Sequence, residues 1–129
     1  MDYKIEFYKA LIEIIGYVKE SFSDKPKILS VIETIEIIIN NDITYPFHYF
    51  KDNGYKELKH VVNMPSSAIK ISILIPDVIR DDFIEISKIK DLTIIDRLWF
   101  NPRLDPYREK IFHKFKYLIK LIDASIQNK

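Results

Sequence analysis

The chain contains no cysteine and only two glycines, Gly16 and Gly54, among its 129 residues. Without cysteine there are no disulfides and no thiolate metal sites, which excludes a secreted scaffold held by crosslinks and favours a reducing compartment. Two isolated glycines exclude a P-loop and a dinucleotide fingerprint, because both need several glycines where backbone approaches a phosphate closely. Long apolar runs are missing too. The run Ile37-Ile38-Ile39 falls far short of the ~20 residues of a spanning helix. The start, Met1-Asp2-Tyr3-Lys4-Ile5-Glu6, mixes acids and lysines into an amphipathic pattern and is unlike an export signal. The expectation is a cytoplasmic protein that does not cross a membrane.

Charge of one sign is also lacking, with a formal net charge of +1. No global attraction to nucleic acid or membrane follows, but the charge is uneven along the chain. Asp77 to Asp96 carries six acids against three bases, and Arg97 to Lys129 carries eight Lys or Arg against three acids. What is plentiful is hydrophobic surface, 47% of residues, with 30% charged. That balance belongs to a packed domain, and a chain of this size buries about two-thirds of its unfolded surface around one core. The expectation is one domain over residues 1–129.

Periodicity predicts three long helices. Ile5, Tyr8, Leu11, Ile12, Ile15, Val18 and Phe22 recur three and four apart between Asp2 and Phe22, with Asp2 placed to cap the start. Ser23-Asp24-Lys25-Pro26 then breaks the pattern, and the proline suits a new first turn. From Pro26 to Asn40 the apolar positions cover more than one stripe, which predicts a centrally placed second helix, antiparallel to the first across the short linker. A last helix runs to about Gln127 on a stripe of Ile111, Phe112, Phe115, Leu118, Ile119, Ile122 and Ile126. Between them, Asp52-Asn53-Gly54 reads as a turn, and Ile69-Lys70-Ile71-Ser72-Ile73-Leu74-Ile75 alternates with period two and stops at Pro76, the pattern of a strand. A strand needs a partner for its backbone groups, and Ile84-Glu85-Ile86 or Leu92-Thr93-Ile94-Ile95 would supply it. The expected class is helix-dominated α+β: an N-terminal helical hairpin, a small two- to three-stranded sheet in the middle, and a long C-terminal helix.

Few residues carry chemistry. His48, His60 and His113 lie far apart and none stands in a zinc-ligand spacing. Asp77, Asp81, Asp82 and Glu85 fall three and four apart, but read best as a solvated helix face. No metal and no cofactor is expected. Two aromatic sets stand out, Tyr45-Pro46-Phe47-His48-Tyr49-Phe50 and Trp99 with Phe100, Arg103 and Tyr107. Rings with one polar end bury large area at small entropic cost, so Tyr45, Phe47, His48, Tyr49, Trp99, Arg103 and Tyr107 are candidates for binding a partner or ligand, with a place in the core as the alternative.

The stretch Arg108-Glu109-Lys110-Ile111-Phe112-His113 is an Arg-x4-His pattern near the start of the last helix. At that point the chain resembles the HEPN superfamily of small helical ribonucleases and their inactive relatives. The resemblance implies metal-independent RNA cleavage across a dimer, with Arg108 stabilising the phosphate, His113 transferring protons, and Arg103, Lys110, Lys114, Lys116 and Lys120 holding the RNA backbone. Five positions along a regular helix separate two side chains by about 140°, so Arg108 and His113 converge only through an irregular first turn or a second subunit. A second resemblance runs through Ile71-Ser72-Ile73-Leu74-Ile75-Pro76-Asp77, which is similar to the strand in ligand-binding domains of bacterial relatives of stimulator of interferon genes, with Gly16-Tyr17 echoing their first helix. It implies a cyclic-dinucleotide pocket.

An interaction protein needs the fewest special residues, and this chain supplies few. The leading expectation is a non-enzymatic binding or regulatory protein of a bacterium, phage or mobile element, of immunity, antitoxin or inhibitor type, acting through a protein partner or as a homo-oligomer. The alternatives are the HEPN-like ribonuclease, with RNA held on the basic C-terminal helix, and a small-ligand domain for a nucleotide or cyclic dinucleotide.

Overall fold

Backbone satisfaction at the helix ends sets where each element begins. The computed structural model describes residues 2–55, 59, 97–98 and 100–127. Helix α1 spans Tyr3–Ser21, and the Asp2 carboxylate caps it as expected, accepting from the backbone N–H of Lys4 at 3.0 Å and of Ile5 at 3.4 Å. Such a cap is worth about 1 kcal/mol over alanine. The helix closes on Phe22, whose N–H reaches the carbonyls of Val18 and Lys19 while its ring is fully buried. One further turn, Lys25 N–H to Phe22 carbonyl at 2.9 Å, leads to α2, Pro26–Asn41, with its proline in the first turn where a missing N–H costs nothing.

Helix α3, Tyr45–Tyr49, runs directly into a wider π-helical turn, Phe50–Gly54. The chain therefore stays helical through Asp52-Asn53-Gly54, where the sequence reads as a turn. Aromatic spacing accounts for this, since Phe47 and Phe50 sit three apart and are both buried against Phe7 of α1. Later in the chain a 3-10 turn, Pro102–Leu104, is capped by the Asn101 side chain and pinned by a fully buried Leu104. It feeds the last helix, α4, Arg108–Gln127.

The α+β class is corrected by these elements. Among the described residues every regular element is helical and there is no strand. The alternating segment Ile69–Ile75 and its expected partners at 84–86 and 92–95 lie outside the described residues, as does the aspartate cluster from Asp77 to Glu85. Period-two alternation is a weak signal beside tertiary packing, and it carries no support from any described element.

α1 is the axis. It packs against α4, α3, α2 and the 3-10 turn, and these are the main packings between helices among the described residues. Its buried side chains, Phe7, Ala10, Leu11, Ile14, Ile15 and Val18, cover an arc of about 140°, as wide as the expected stripe but rotated about the helix axis. Ile5 is exposed, and Tyr8 and Ile12 are only partly covered. Among the described residues helix α2, expected at the centre, has α1 as its main neighbour. It buries Val31, Ile32, Ile35 and Ile39, and Ile37 is 70% exposed. Tyr8 bonds Asn40 and Lys19 bonds Glu36, so partner numbers fall along α2 as they rise along α1, as in an antiparallel pair. On the other side Lys114 pairs with Glu13, and Tyr107 stacks on Tyr17, which makes α4 antiparallel to α1 as well. Among the described residues no helix is long and apolar enough to cross a membrane.

Phe7 carries this packing most directly. It is fully buried, meets Phe47 edge-on at 5.8 Å and tilts on Phe50 at 5.4 Å. Phe7→Ala is expected to cost about 3–5 kcal/mol in urea unfolding, whereas Ile37→Ala should change stability by less than about 0.5 kcal/mol. Comparable losses from the two substitutions would contradict the packing described.

Candidate functional site

The residues leading into α4 decide which of its charges are used up. The Asn101 side chain accepts from the Arg103 N–H at 3.0 Å, which closes the 3-10 turn and turns Arg103 back toward the α1–α2 linker. There the guanidinium grips Asp24 through both of its oxygens, with NH2 to Oδ2 at 3.1 Å, and reaches the Ser21 carbonyl at 3.4 Å. The bond from Arg103 holds the Asp24 carboxyl below its usual range, outweighing slight desolvation, and Asp24 raises the Arg103 pKa in return. Arg103 thus serves as a tie between two parts of the chain.

Tyr107 has a similar part. Its ring stacks on Tyr17 with centroids 5.3 Å apart and planes 23° apart. Its phenol pKa is raised, chiefly by a hydrogen bond to Glu20, then by desolvation and by the Glu20 charge. Arg108 donates to the Asp105 carboxylate and, at 3.0 Å, to the Asn101 carbonyl. Its side chain is one-quarter exposed, so it works as a brace for the first turn of α4. Lys114 pairs with Glu13 of α1, which raises its pKa against the pull of burial.

Beyond these ties four basic residues on the outer face of α4 have no acid partner among the described residues. Lys110, His113, Lys116 and Lys120 are all exposed. They follow one another at spacings of three, three and four, which lays them along one side over about 15 Å of helix. The acids beside them on the helix are Glu109 at its start and Asp123, which pairs with Lys59. Aromatic rings support the stripe from beneath. The Lys116 ammonium sits 4.7 Å from the Phe112 centroid, and that of Lys110 lies 5.9 Å from Tyr17. Cation–π contacts of this kind leave the ammonium hydrated and available.

The other candidates divide. Phe47 and Tyr49 are buried at 4% and 7% exposure and belong to the core, Tyr45 is half-buried against Tyr49, and His48 alone points to solvent. Trp99 and His60 lie outside the described residues, as does the segment from Ile71 to Asp77. Arg108 and His113 share α4 but do not converge, since Arg108 is engaged with Asp105 and Asn101 while His113 is exposed. Glu13, Tyr17, Glu20 and Asp24 are the partners that sequence reading missed. Glu13, Tyr17 and Glu20 form a polar edge on α1 at spacings of four and three, with Asp24 following in the linker, but that spacing does not say which helix faces it. Among the described residues no three His, Asp or Glu side chains gather where a metal ion would sit. No protein-family model, no curated protein and no solved structure matches this chain.

The two members of the Arg-x4-His pair should separate in stability. Arg108→Ala removes a partly buried brace and is expected to cost about 1 kcal/mol after allowance for the exposed Asp105 partner. His113→Ala should change unfolding free energy by less than about 0.5 kcal/mol. Chemical denaturation of both variants checks this, and a neutral Arg108→Ala would remove its structural role.

Proposed function

We propose that this chain is a non-enzymatic binding or regulatory domain that acts in the cytoplasm by docking an acidic surface of a protein partner against α4. The observation that carries the reading is the free row Lys110, His113, Lys116 and Lys120 beside basic residues that are already spent. Arg103, Arg108 and Lys114 each hold an acid of this chain, and the four outer residues hold none among those described. A row of unpaired cations on a rigid helix steers an acidic partner and fixes its register, and does so without a catalytic group. An immunity, antitoxin or inhibitor protein works in this way, by covering a partner, and needs only such a face. Lysines in water contribute mainly to encounter rate and specificity, so binding should weaken with salt.

A second reading keeps one observation on its side. Arg108 and His113 stand on the same helix in a described region that is entirely helical, as in the HEPN ribonucleases. It requires Arg108 to leave Asp105 and the Asn101 carbonyl, and a second copy to bring an arginine to the histidine.

Two measurements separate the readings. Affinity capture from the native host with wild-type protein and with a Lys110→Glu, Lys116→Glu, Lys120→Glu variant should show a partner held by the first and lost by the second, with retention falling between 50 mM and 500 mM salt. A partner retained equally by both places the contact elsewhere. Labelled RNA incubated with wild type and His113→Ala should stay intact in both. Cleavage by the wild type alone would establish the ribonuclease reading instead.

A further inference from the structure

An open cleft of about 470 Å³ lies at the opposite end of α1 from the Arg103 tie, where the start of α1, the α3 turn and the end of α4 meet. Its wall includes Asp2, Lys4, Phe47, His48, Lys51 and Ser125. This volume falls within the range that encloses small organic ligands. The charges on its rim are unequally committed. Asp2, its acid, already accepts from two N–H groups at the start of α1, so much of its charge is answered by the helix end it caps. Lys4 and Lys51 have no acidic partner among the described residues, and His48 is exposed, its ring edge-on to Phe47. The Lys51 ammonium stands 5.8 Å from the Phe47 centroid, so a cation is held directly beside an apolar ring.

Lys4 of α1, with His48 and Lys51 from one side of the continuous α3 and π-helical stretch, suits a ligand with several acceptor oxygens and a charge of about two, which a phosphate group has and a simple carboxylate does not. Lysine meets such a group as a flexible point charge, and histidine adds a directed N–H. Tyr3, partly buried and also lining the cleft, offers a ring to the organic part of an ester, while Phe47 is 4% exposed and adds only its edge. We propose that this cleft binds a small phosphate monoester, with Lys4, Lys51 and His48 holding the phosphate. The site is separate from the basic face of α4 and does not depend on the partner bound there.

Calorimetric or NMR titration with phenyl phosphate, inorganic phosphate and acetate tests it on the full chain. Phenyl phosphate should bind saturably, inorganic phosphate more weakly, and acetate not measurably. Lys4→Gln with Lys51→Gln should weaken phenyl phosphate about tenfold or more, equivalent to ~1.4 kcal/mol. His48→Gln, which leaves both lysines in place, should weaken it several-fold. Lys116→Gln with Lys120→Gln, on α4, should leave it within twofold. All of these side chains are at the surface, so the thermal midpoint of each variant should match the wild type. No saturable binding, unchanged affinity in the cleft variants, or an equal loss in the α4 variant would overturn the site. Acetate binding as tightly as phenyl phosphate would overturn the phosphate assignment.

Discussion

Everything in this chain hangs on covering α1 from several sides at once. Phe7, Leu11, Ile14, Ile15 and Val18 form one buried face, Tyr8 and Ile12 on one side and Tyr17 on the other widen the packed surface to about 220° of the helix, and each fully buried side chain of this size contributes about 1.5–3 kcal/mol. One neighbour cannot cover such an arc. α2 takes the Tyr8 side, α3 takes Phe7, and α4 lies along the edge that carries Glu13 and Tyr17. The demand for cover fixes α4 with Ile111, Phe115, Leu118 and Ile122 inward, and so determines that Lys110, His113, Lys116 and Lys120 face out. The proposed docking face is a consequence of how the core is closed.

Much of the helical framework can be read from the residues themselves. The Asp2 cap and the break before Pro26 stand where spacing puts them, and so does most of the α4 stripe, although Ile126 is exposed, Phe112 is only partly covered and Leu121 is buried in addition. Rotation about α1 is less legible. Ile5 and Tyr8 fit a helical period as well as Phe7 and Ile14 do, and only the positions of α3 and α4 decide that the latter are covered more deeply. The second helix misleads for a related reason. Its many isoleucines suggest burial on all sides, yet Ile37 stands 70% exposed. The expected sheet shows the same limit, since alternation proposes a strand while the described elements are all helices.

Site residues follow the same division. Residue type identifies Arg103, Tyr107, Arg108 and Lys114 as capable of binding, but not what they already bind. Their partners Asp24, Glu20, Asp105 and Glu13 are mostly distant in sequence, so the difference between a spent cation and a free one appears only once α1 and α4 are side by side. The first aromatic cluster divides for the same reason. Spacing of three sends Phe47 and Phe50 to the Phe7 ring and leaves His48, between them, facing water at the cleft. Lys4 and Lys51, ordinary surface lysines in the sequence, acquire meaning only from that placement.

Native-state hydrogen exchange tests the central position of α1 most directly. If α1 is the shared axis, the amides from Leu11 to Val18 open only with global unfolding and exchange slowest, while those near Ile37 on the outer side of α2 exchange sooner through local opening. Exchange of the α1 amides ahead of α2 would show that the core is organised around another element, and the outward face of α4 would lose its structural basis.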